Sequence, residues 1–267
     1  MLNLQNTEFL TKDQIKSKAP SVFTSQGGPE TSSKYIHIST ERIVDDMNVL
    51  GWGVVDAKEV KSRKSKGFQK HLLVFRNNEL TITGKDGDNV FPQILLSNSH
   101  DGKSSFQFTA GLFRLICENG LVISSETFGD LKIRHMGYNI EELQQIVNNI
   151  IDKLPLTIES MNRLKSIQLS EEQQHKFALE ALGLRFEEKG LTFDDSNSVT
   201  ELLEATREED KGDNIWVVMN RVQEKLIHGG FNYTNEKGKI RKARKIKNFQ
   251  QDIKLNQKLF DLALEFA

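Results

Sequence analysis

Cysteine is almost absent from this chain: Cys117 stands alone among 267 residues. A single thiol excludes an internal disulfide framework and any cysteine-rich zinc site. Its setting in an apolar run reads as a buried thiol. Proline is scarce too, at four residues, and no uncharged apolar run approaches the roughly 18 residues of a membrane span. A collagen, a disulfide mini-protein and a wholly disordered chain are excluded, and no membrane partner is expected. The opening MLNLQNTEFLTKDQ has neither a basic n-region nor an apolar h-region. No secretory signal is read there, and the expected location is the cytosol. P-loop, G-x-G-x-x-G and G-x-S-x-G motifs are missing. None of the six histidines (His37, His71, His100, His135, His175 and His228) forms an H-x-x-x-H or H-E-x-x-H pair. No cofactor is implied, and a metal site would have to be assembled from distant residues.

What is present is unevenly placed charge. The net charge is −1. Yet Lys58, Lys61, Arg63, Lys64, Lys66, Lys70 and Arg76 face a single acid, Glu59, within one short stretch. A second basic run, Lys237–Lys247 (KGKIRKARKIK), holds no acid, while residues 170–213 carry thirteen acids against five bases. One such run is commonly a solvated face. Two in a small protein tilt the reading toward a polyanion.

The chain is long enough for one large domain or two small ones. Residues 1–33 are polar, contain Gln26-Gly27-Gly28-Pro29, and read as an extended or partly ordered arm. Thr40 can cap a helix with Ile43, Val44, Met47 and Leu50 inward and Gly51 at its end. The basic stretch reads as a hairpin turning at Ser65-Lys66-Gly67. Strands follow at Glu79–Thr83, at Phe91–Ser97, where Pro92 suggests an edge, at Ser105–Cys117 and within Gly129–Met136. From Asn139 the period becomes helical, with Ile140, Leu143, Val147, Ile150 and Leu154 on one face. Pro155 interrupts, and Ile158, Met161, Leu164 and Ile167 resume. Capping boxes are read at Ser170/Gln173 and Ser198/Glu201. Asp213-Asn214 opens a helix that Gly229-Gly230 closes, and a last helix starts near Ile246. Within Lys237–Lys247 a loop turning helical near Lys242–Lys245 is expected. The order gives an α+β fold, not α/β: arm (1–33), α+β core with a curved antiparallel sheet and basic hairpin (34–154), helical region (155–267).

His100-Asp101 is the most suggestive polar pair. It fits a general base or metal ligand beside a carboxylate, and it fits a turn in which Asn98 and Asp101 satisfy backbone groups. The turn carries more weight. Glu118-Asn119-Gly120 likewise reads as a tight turn before a site. Arg114 and Arg134, in apolar strands, either pair buried carboxylates or face an anion. Trp216, Val218, Met219 and Val222 read as core. Trp52 reads as core before it reads as a stacking platform for a base.

Certain segments carry a family resemblance: Gly67-Phe68-Gln69-Lys70-His71, Leu96-Ser97-Asn98-Ser99-His100-Asp101-Gly102, Ala110 to Leu121 (AGLFRLICENGL), Ile133-Arg134-His135, Asp213 to Gly230 (DNIWVVMNRVQEKLIHGG) and Lys254 to Phe260 (KLNQKLF). They resemble the phage/plasmid-like proteins grouped as domain of unknown function nine-three-two. That family name supplies no activity. The layout of helix, Gly51-Trp52, basic hairpin, strands and long helices is also similar to single-strand annealing proteins of the Rad fifty-two type. That layout implies oligomeric rings or filaments holding single-stranded DNA in a basic groove, with residues 170–213 turned away.

The function expected from this reading is binding and annealing of single-stranded DNA by a phage- or plasmid-type protein, homo-oligomeric and non-catalytic. The contact residues would be Lys58, Lys61, Arg63, Lys64, Lys66, Lys70, Arg76, Arg114, Arg134, Arg241, Lys242, Arg244 and Lys245. Two other classes stand beside it. One is a metal-dependent phosphodiester hydrolase built on His100 and Asp101. The other is an accessory protein whose acidic helices engage a host defence or replication factor.

Overall fold

The structure, a computed structural model, describes residues 8–62, 66–83, 89–114, 119–122, 131–135, 138–186, 196–235 and 238–267. It is α+β, with an antiparallel sheet in the N-terminal half and helices in the C-terminal half. The chain forms two compact units, residues 1–115 with 125–154, and residues 116–124 with 155–267.

In the first unit the opening polar segment folds. Thr11 and Gln14 form a capping box, each side chain bonded to the other's backbone N–H, and start α1 (Lys12–Lys18). Ile15, Ala19 and Val22 are buried, and the Leu10 N–H donates to the Val54 carbonyl. The expected arm is therefore part of the packed unit, because three apolar residues hidden in a polar sequence give it something to bury. Ser39, not Thr40, caps α2 (Thr40–Val49): its hydroxyl accepts from the Glu41 N–H. Thr40 is thereby the first helical residue, with its side chain facing inward and fully buried.

The sheet pairs β1 (Gly53–Glu59) with β2 (His71–Arg76), β2 with β4 (Asn89–Asn98), and β4 with β5 (Phe106–Arg114). The short β3 (Ile82–Thr83) lies beside β4, and β7 (Leu131–Ile133) beside β5. All these pairs are antiparallel, and the basic hairpin is the β1–β2 pair. The strand holding Pro92 is central, not an edge. Toward β2 and β3 the register covers Asn89, Val90 and Gln93–Asn98, so Pro92 falls in the gap where no partner asks for its missing N–H. Alternation along the strands buries Leu73, Phe75, Ile94, Leu96, Phe106, Phe108 and Ala110, and α2 adds Ile43, Val44 and Met47.

The second unit contains the short β6 (Asn119–Val122) and is otherwise mostly helical. Helix α3 (Ile140–Ser166), whose residues up to Leu154 belong to the first unit, runs through Pro155 without stopping. Leu143, Val147, Ile150, Leu154, Thr157, Met161 and Leu164 are all buried at alternating spacings of four and three. That unbroken stripe outweighs the one backbone bond that proline forfeits. Ser170 and Gln173 cap α4 (Glu171–Phe186) reciprocally, and Asn214 caps α6 (Ile215–His228). Helix α5 begins earlier than expected, at Ser196 (Ser196–Leu203), which frees the Ser198 hydroxyl to donate to the Asn232 carbonyl. Helix α7 (Phe249–Glu265) starts after Asn248. Trp216, Phe177, Leu182, Met219, Val222 and Phe260 form the core of this unit. The expected helix near Lys242–Lys245 is instead a hairpin strand, β9 (Ile240–Lys242) paired with β8 (Asn232–Thr234), followed by a stretch without regular secondary structure.

That chain is fixed to the end of α6 by three backbone bonds: Gly230 N–H to Ala243, Ala243 N–H to Phe231 and Ile246 N–H to Ile227. The approach is possible because Gly229 has φ 72° and ψ −156°, a conformation close to glycine-only. A Cβ there would lie 2.6 Å from the Ala243 carbonyl oxygen. Gly229→Ala is expected to lower the unfolding free energy by at least about 1–3 kcal/mol, read as a fall in the urea midpoint.

Candidate functional site

Within the first unit, four of the six histidines converge. His71 opens β2 and stands opposite Asn98, the last residue of β4. His100 lies in the following turn, held by its N–H to the Phe68 carbonyl and by the Gly28 N–H on its own carbonyl. His135 follows β7, and Tyr35 and His37 lie on the segment before α2. The ring of His100 is 4.8 Å from that of His37, 5.5 Å from His71 and 6.0 Å from His135. Tyr35 and Phe106 lie against His135 at 4.8 and 4.5 Å.

At the hub is Thr40. Its hydroxyl is 2.9 Å from His71 Nε2 and 3.1 Å from His100 Nε2, and accepts from Asn98 Nδ2 at 3.1 Å. Asn98 Oδ1 is 2.9 Å from His135 Nε2. His71 Nδ1 is 3.1 Å from the Gln69 carbonyl and 2.9 Å from Ser21 Oγ. Burial pushes His71 and His135 down to about 4. His100 falls to about 2 through burial, then through the positive charge its three neighbours could carry. These imidazoles are neutral at pH 7. Burial, then the charge of Asp101, pushes the Tyr35 phenol up to about 12.

The His100-Asp101 pair separates in the fold. Asp101 Oδ1 accepts from Ser99 Oγ at 2.6 Å and from the Lys103 N–H at 3.1 Å, which is turn chemistry. His100 turns the other way, to Thr40 and Tyr35. Among the described residues no three His, Cys, Asp or Glu side chains are grouped so as to hold a metal ion. His71 Nε2 and His100 Nε2 meet Thr40, His135 Nε2 meets Asn98, and His71 Nδ1 and His37 Nε2 meet backbone carbonyls, whereas His37 Nδ1 and His135 Nδ1 are buried without a partner among the described residues.

The predicted cations divide. In the hairpin, Lys58 is exposed beside Asp56 at 3.4 Å, and Lys61 and Lys66 are exposed. Lys70 is half-buried, and burial lowers its pKa. Arg76 is buried with its guanidinium 4.9 Å over the Phe91 ring, so it offers no charge to a ligand in solvent. Arg63, Lys64, Cys117, Glu118 and Lys237 lie outside the described residues, as does the side chain of Arg114. Arg134 is exposed and lines a small pocket with Lys34 and Lys103. Trp52 is fully buried and cannot stack on a base.

In the second unit, Arg241, Lys242, Arg244, Lys245 and Lys247 border a cavity of about 500 Å³ with Tyr233 and Phe186, and among the described residues no acid lines it. Tyr233 and Phe186 lie ring to ring at 4.5 Å. Arg185 is a strut here: its guanidinium donates to the Leu226 carbonyl at 3.0 Å and the Arg244 carbonyl at 2.9 Å. Several acids of residues 170–213 are engaged inside this unit. Asp210 accepts from Arg207, Asp213 from Gln174, and Glu201 from Asn232.

The family described as Domain of unknown function (DUF932) matches residues 30–260, and the chain belongs to that family. It is similar to two Escherichia coli K12 proteins, the UPF0380 proteins YfjQ and YafZ. It is 32% identical to each over 258 residues, which cover 95% of this chain and 90% of theirs. No solved structure matches, and the layout likeness to Rad fifty-two type annealing proteins gains no support from these comparisons.

The histidine cluster can be tested in two ways. Thr40→Val keeps the shape but strands His71, His100 and Asn98 in the core, at about 1–3 kcal/mol per stranded group. Thr40→Ser, which keeps the hydroxyl, is expected to recover most of the loss in the same denaturation measurement. The second test uses acid. Unfolded imidazoles titrate near 6.5, above the folded values of about 4 for His71 and His135. Between those values the unfolded chain binds the extra protons. The stabilisation is therefore complete above pH 6.5 and is lost as pH falls toward 4. The slope is about 1.4 kcal/mol per pH unit for each histidine that gains its proton only on unfolding. Stability measured at pH 7, 6 and 5 should fall along that course.

Proposed function

We propose that the protein binds single-stranded DNA, without a cofactor, in the cationic groove of its second unit, and holds it for annealing to a complementary strand. The observation that carries this reading is the groove itself. Five basic residues surround half-buried Tyr233, which rests on buried Phe186, and among the described residues no acid lines the cavity. Single-stranded nucleic acid is held by this combination, cations along the phosphates and rings against the bases. Exposed Lys58, Lys61 and Lys66 of the β1–β2 hairpin offer a second set of cations for phosphates. Annealing brings two bound strands together, and self-association of the protein would serve it.

The other two readings have less under them. The hydrolase requires a metal-holding group, and none is found among the described residues. The accessory-protein reading requires a free acidic face, and several of those acids hold this unit's own chain.

Fluorescence anisotropy with a labelled single-stranded oligonucleotide tests the proposal. Affinity should fall steeply with salt. Replacing Arg241, Lys242, Arg244 and Lys245 with Gln should weaken it at least tenfold and reduce the salt slope by about 0.7 for each phosphate no longer neutralised. The melting temperature should hold or rise. Tyr233→Ala should cost about 1–3 kcal/mol of binding. Wild-type protein should also speed pairing of complementary oligonucleotides. Affinity unchanged in the fourfold variant would place any DNA-binding surface elsewhere.

A further inference from the structure

The cations of the second-unit groove are not equivalent. Arg241, Lys242, Arg244, Lys245 and Lys247 are exposed on long side chains, and none makes an ion pair among the described residues. Arg185, which also borders the cavity, is half-buried at the end of α4. Its Nε–H donates to the Leu226 carbonyl and its Nη2 to the Arg244 carbonyl, so two acceptors fix the guanidinium plane. Its Nη1 has no partner among the described residues and is not sealed from solvent. Asp252, near the start of α7, is close enough to favour the charge of Arg185. The Asp252 carboxylate accepts from Asn256 Nδ2 at 2.8 Å and does not border the cavity. A guanidinium held in this way has little side-chain freedom left to lose when an anion arrives.

Size and charge set what fits beside it. The cavity lies between the end of α4, the β8–β9 hairpin, residues 243–247 and the first turn of α7. At about 500 Å³ it has room for roughly one nucleotide, not for a length of strand. An internal nucleotide would bring one negative charge to the six cations that border this space. Six like charges around one phosphodiester keep most of their mutual repulsion. A terminal phosphate carries a charge of about −1.5 to −2 at pH 7 and presents three acceptor oxygens. The extra oxygen and the extra charge are what a fixed guanidinium among mobile cations can take up.

We propose that this cavity receives the phosphorylated end of a single strand, with the phosphate monoester held by Arg185 and the exposed cations and the terminal base against Tyr233. This rests on the DNA reading and narrows it. The strand is held by one end, and the rest of its bases stay accessible to a complementary strand. A strand without a terminal phosphate meets the same cations and binds more weakly.

Fluorescence anisotropy tests it with one oligonucleotide, labelled at an internal base, in three forms: 5′-phosphorylated, 3′-phosphorylated, and with hydroxyls at both ends. One phosphorylated form is expected to bind about tenfold more tightly than the hydroxyl-ended form. A gain from the 5′ or from the 3′ phosphate supports the assignment and names the end that is held. Arg185→Gln should bring the ratio of phosphorylated to hydroxyl-ended affinity close to one, while the hydroxyl-ended strand still binds through the exposed cations. The ratio is taken within one protein, so a loss of stability in the variant cancels from it. Equal affinity for the three forms in the wild type, or a preference that survives Arg185→Gln, overturns the proposal and leaves the DNA reading standing. Absence of binding to all three forms overturns the DNA reading, and this proposal with it.

Discussion

A single hydroxyl organises the first unit. Thr40 Oγ1 has one proton and two lone pairs, and the fold uses all three. Because His71 Nδ1 donates to the Gln69 carbonyl, a neutral His71 leaves Nε2 to accept, so the proton goes to His71 at the start of β2, and the lone pairs to Asn98 at the end of β4 and to His100 in the next turn. Helix α2 is thus joined to the sheet by hydrogen bonds at the same end where β2 and β4 are in register, His71 opposite Asn98. Asn98 then reaches His135 after β7. Four segments far apart in sequence are fixed by one atom and its amide relay. Such a network stabilises only when it is complete, because a half-satisfied buried polar group costs more than an apolar one.

The same constraint explains why the histidines are neutral. Six titratable nitrogens in a water-poor space (two each on His71, His100 and His135) could gather charge only by repelling one another, and burial already disfavours the first proton. Neutral imidazole has one donor and one acceptor. A chain of neutral imidazoles joined by Thr and Asn hydroxyl and amide groups can therefore be directional. It begins at a backbone carbonyl and ends at a bare nitrogen. A metal would need several bare nitrogens pointed at one spot, whereas this arrangement spends them one at a time on fixed partners.

Much of the architecture was readable in the sequence, and the exceptions have physical reasons. The hairpin, the helical stripe from Ile140, the caps at Ser170 and Asn214 and the stop at Gly229-Gly230 are local signals, each complete within a few residues. Pro92 and Pro155 misled because proline marks an edge or a break only when its missing N–H is needed. The β4 register and the unbroken apolar stripe of α3 remove that need. Ser39 and Thr40 are two good caps in a row. Local rules cannot say which one caps, and the other became the hub. The segments containing His71, His100 and His135 stood out as family-like motifs, but their spacing fits no ligand pattern. Their meeting depends on strand register and on a turn closed by Gly28, which are long-range facts.

The run from Lys237 to Lys247 shows how charge overrides periodicity. Ile240, Ala243 and Ile246 have helical spacing, yet a helix would set like charges one turn apart at nearly every position. Extended chain separates neighbours by about 3.3 Å of rise each and sends successive side chains to opposite sides. It can also borrow hydrogen bonds from elsewhere. Here Gly230, Phe231 and Ile227 at the end of α6 supply them, and Arg185 covers the Arg244 carbonyl. Ala243 and Ile246 still bury, while Ile240 gives up its burial and stands exposed. The backbone is thus held by other backbone groups and by Arg185, and the charges of Arg241, Lys242, Arg244 and Lys245 are left around a cavity that no acid lines among the described residues. A run that only needed to be solvated could have stood free of the fold. This one is anchored residue by residue, and the anchoring is what turns a like-charge run into a groove of fixed shape.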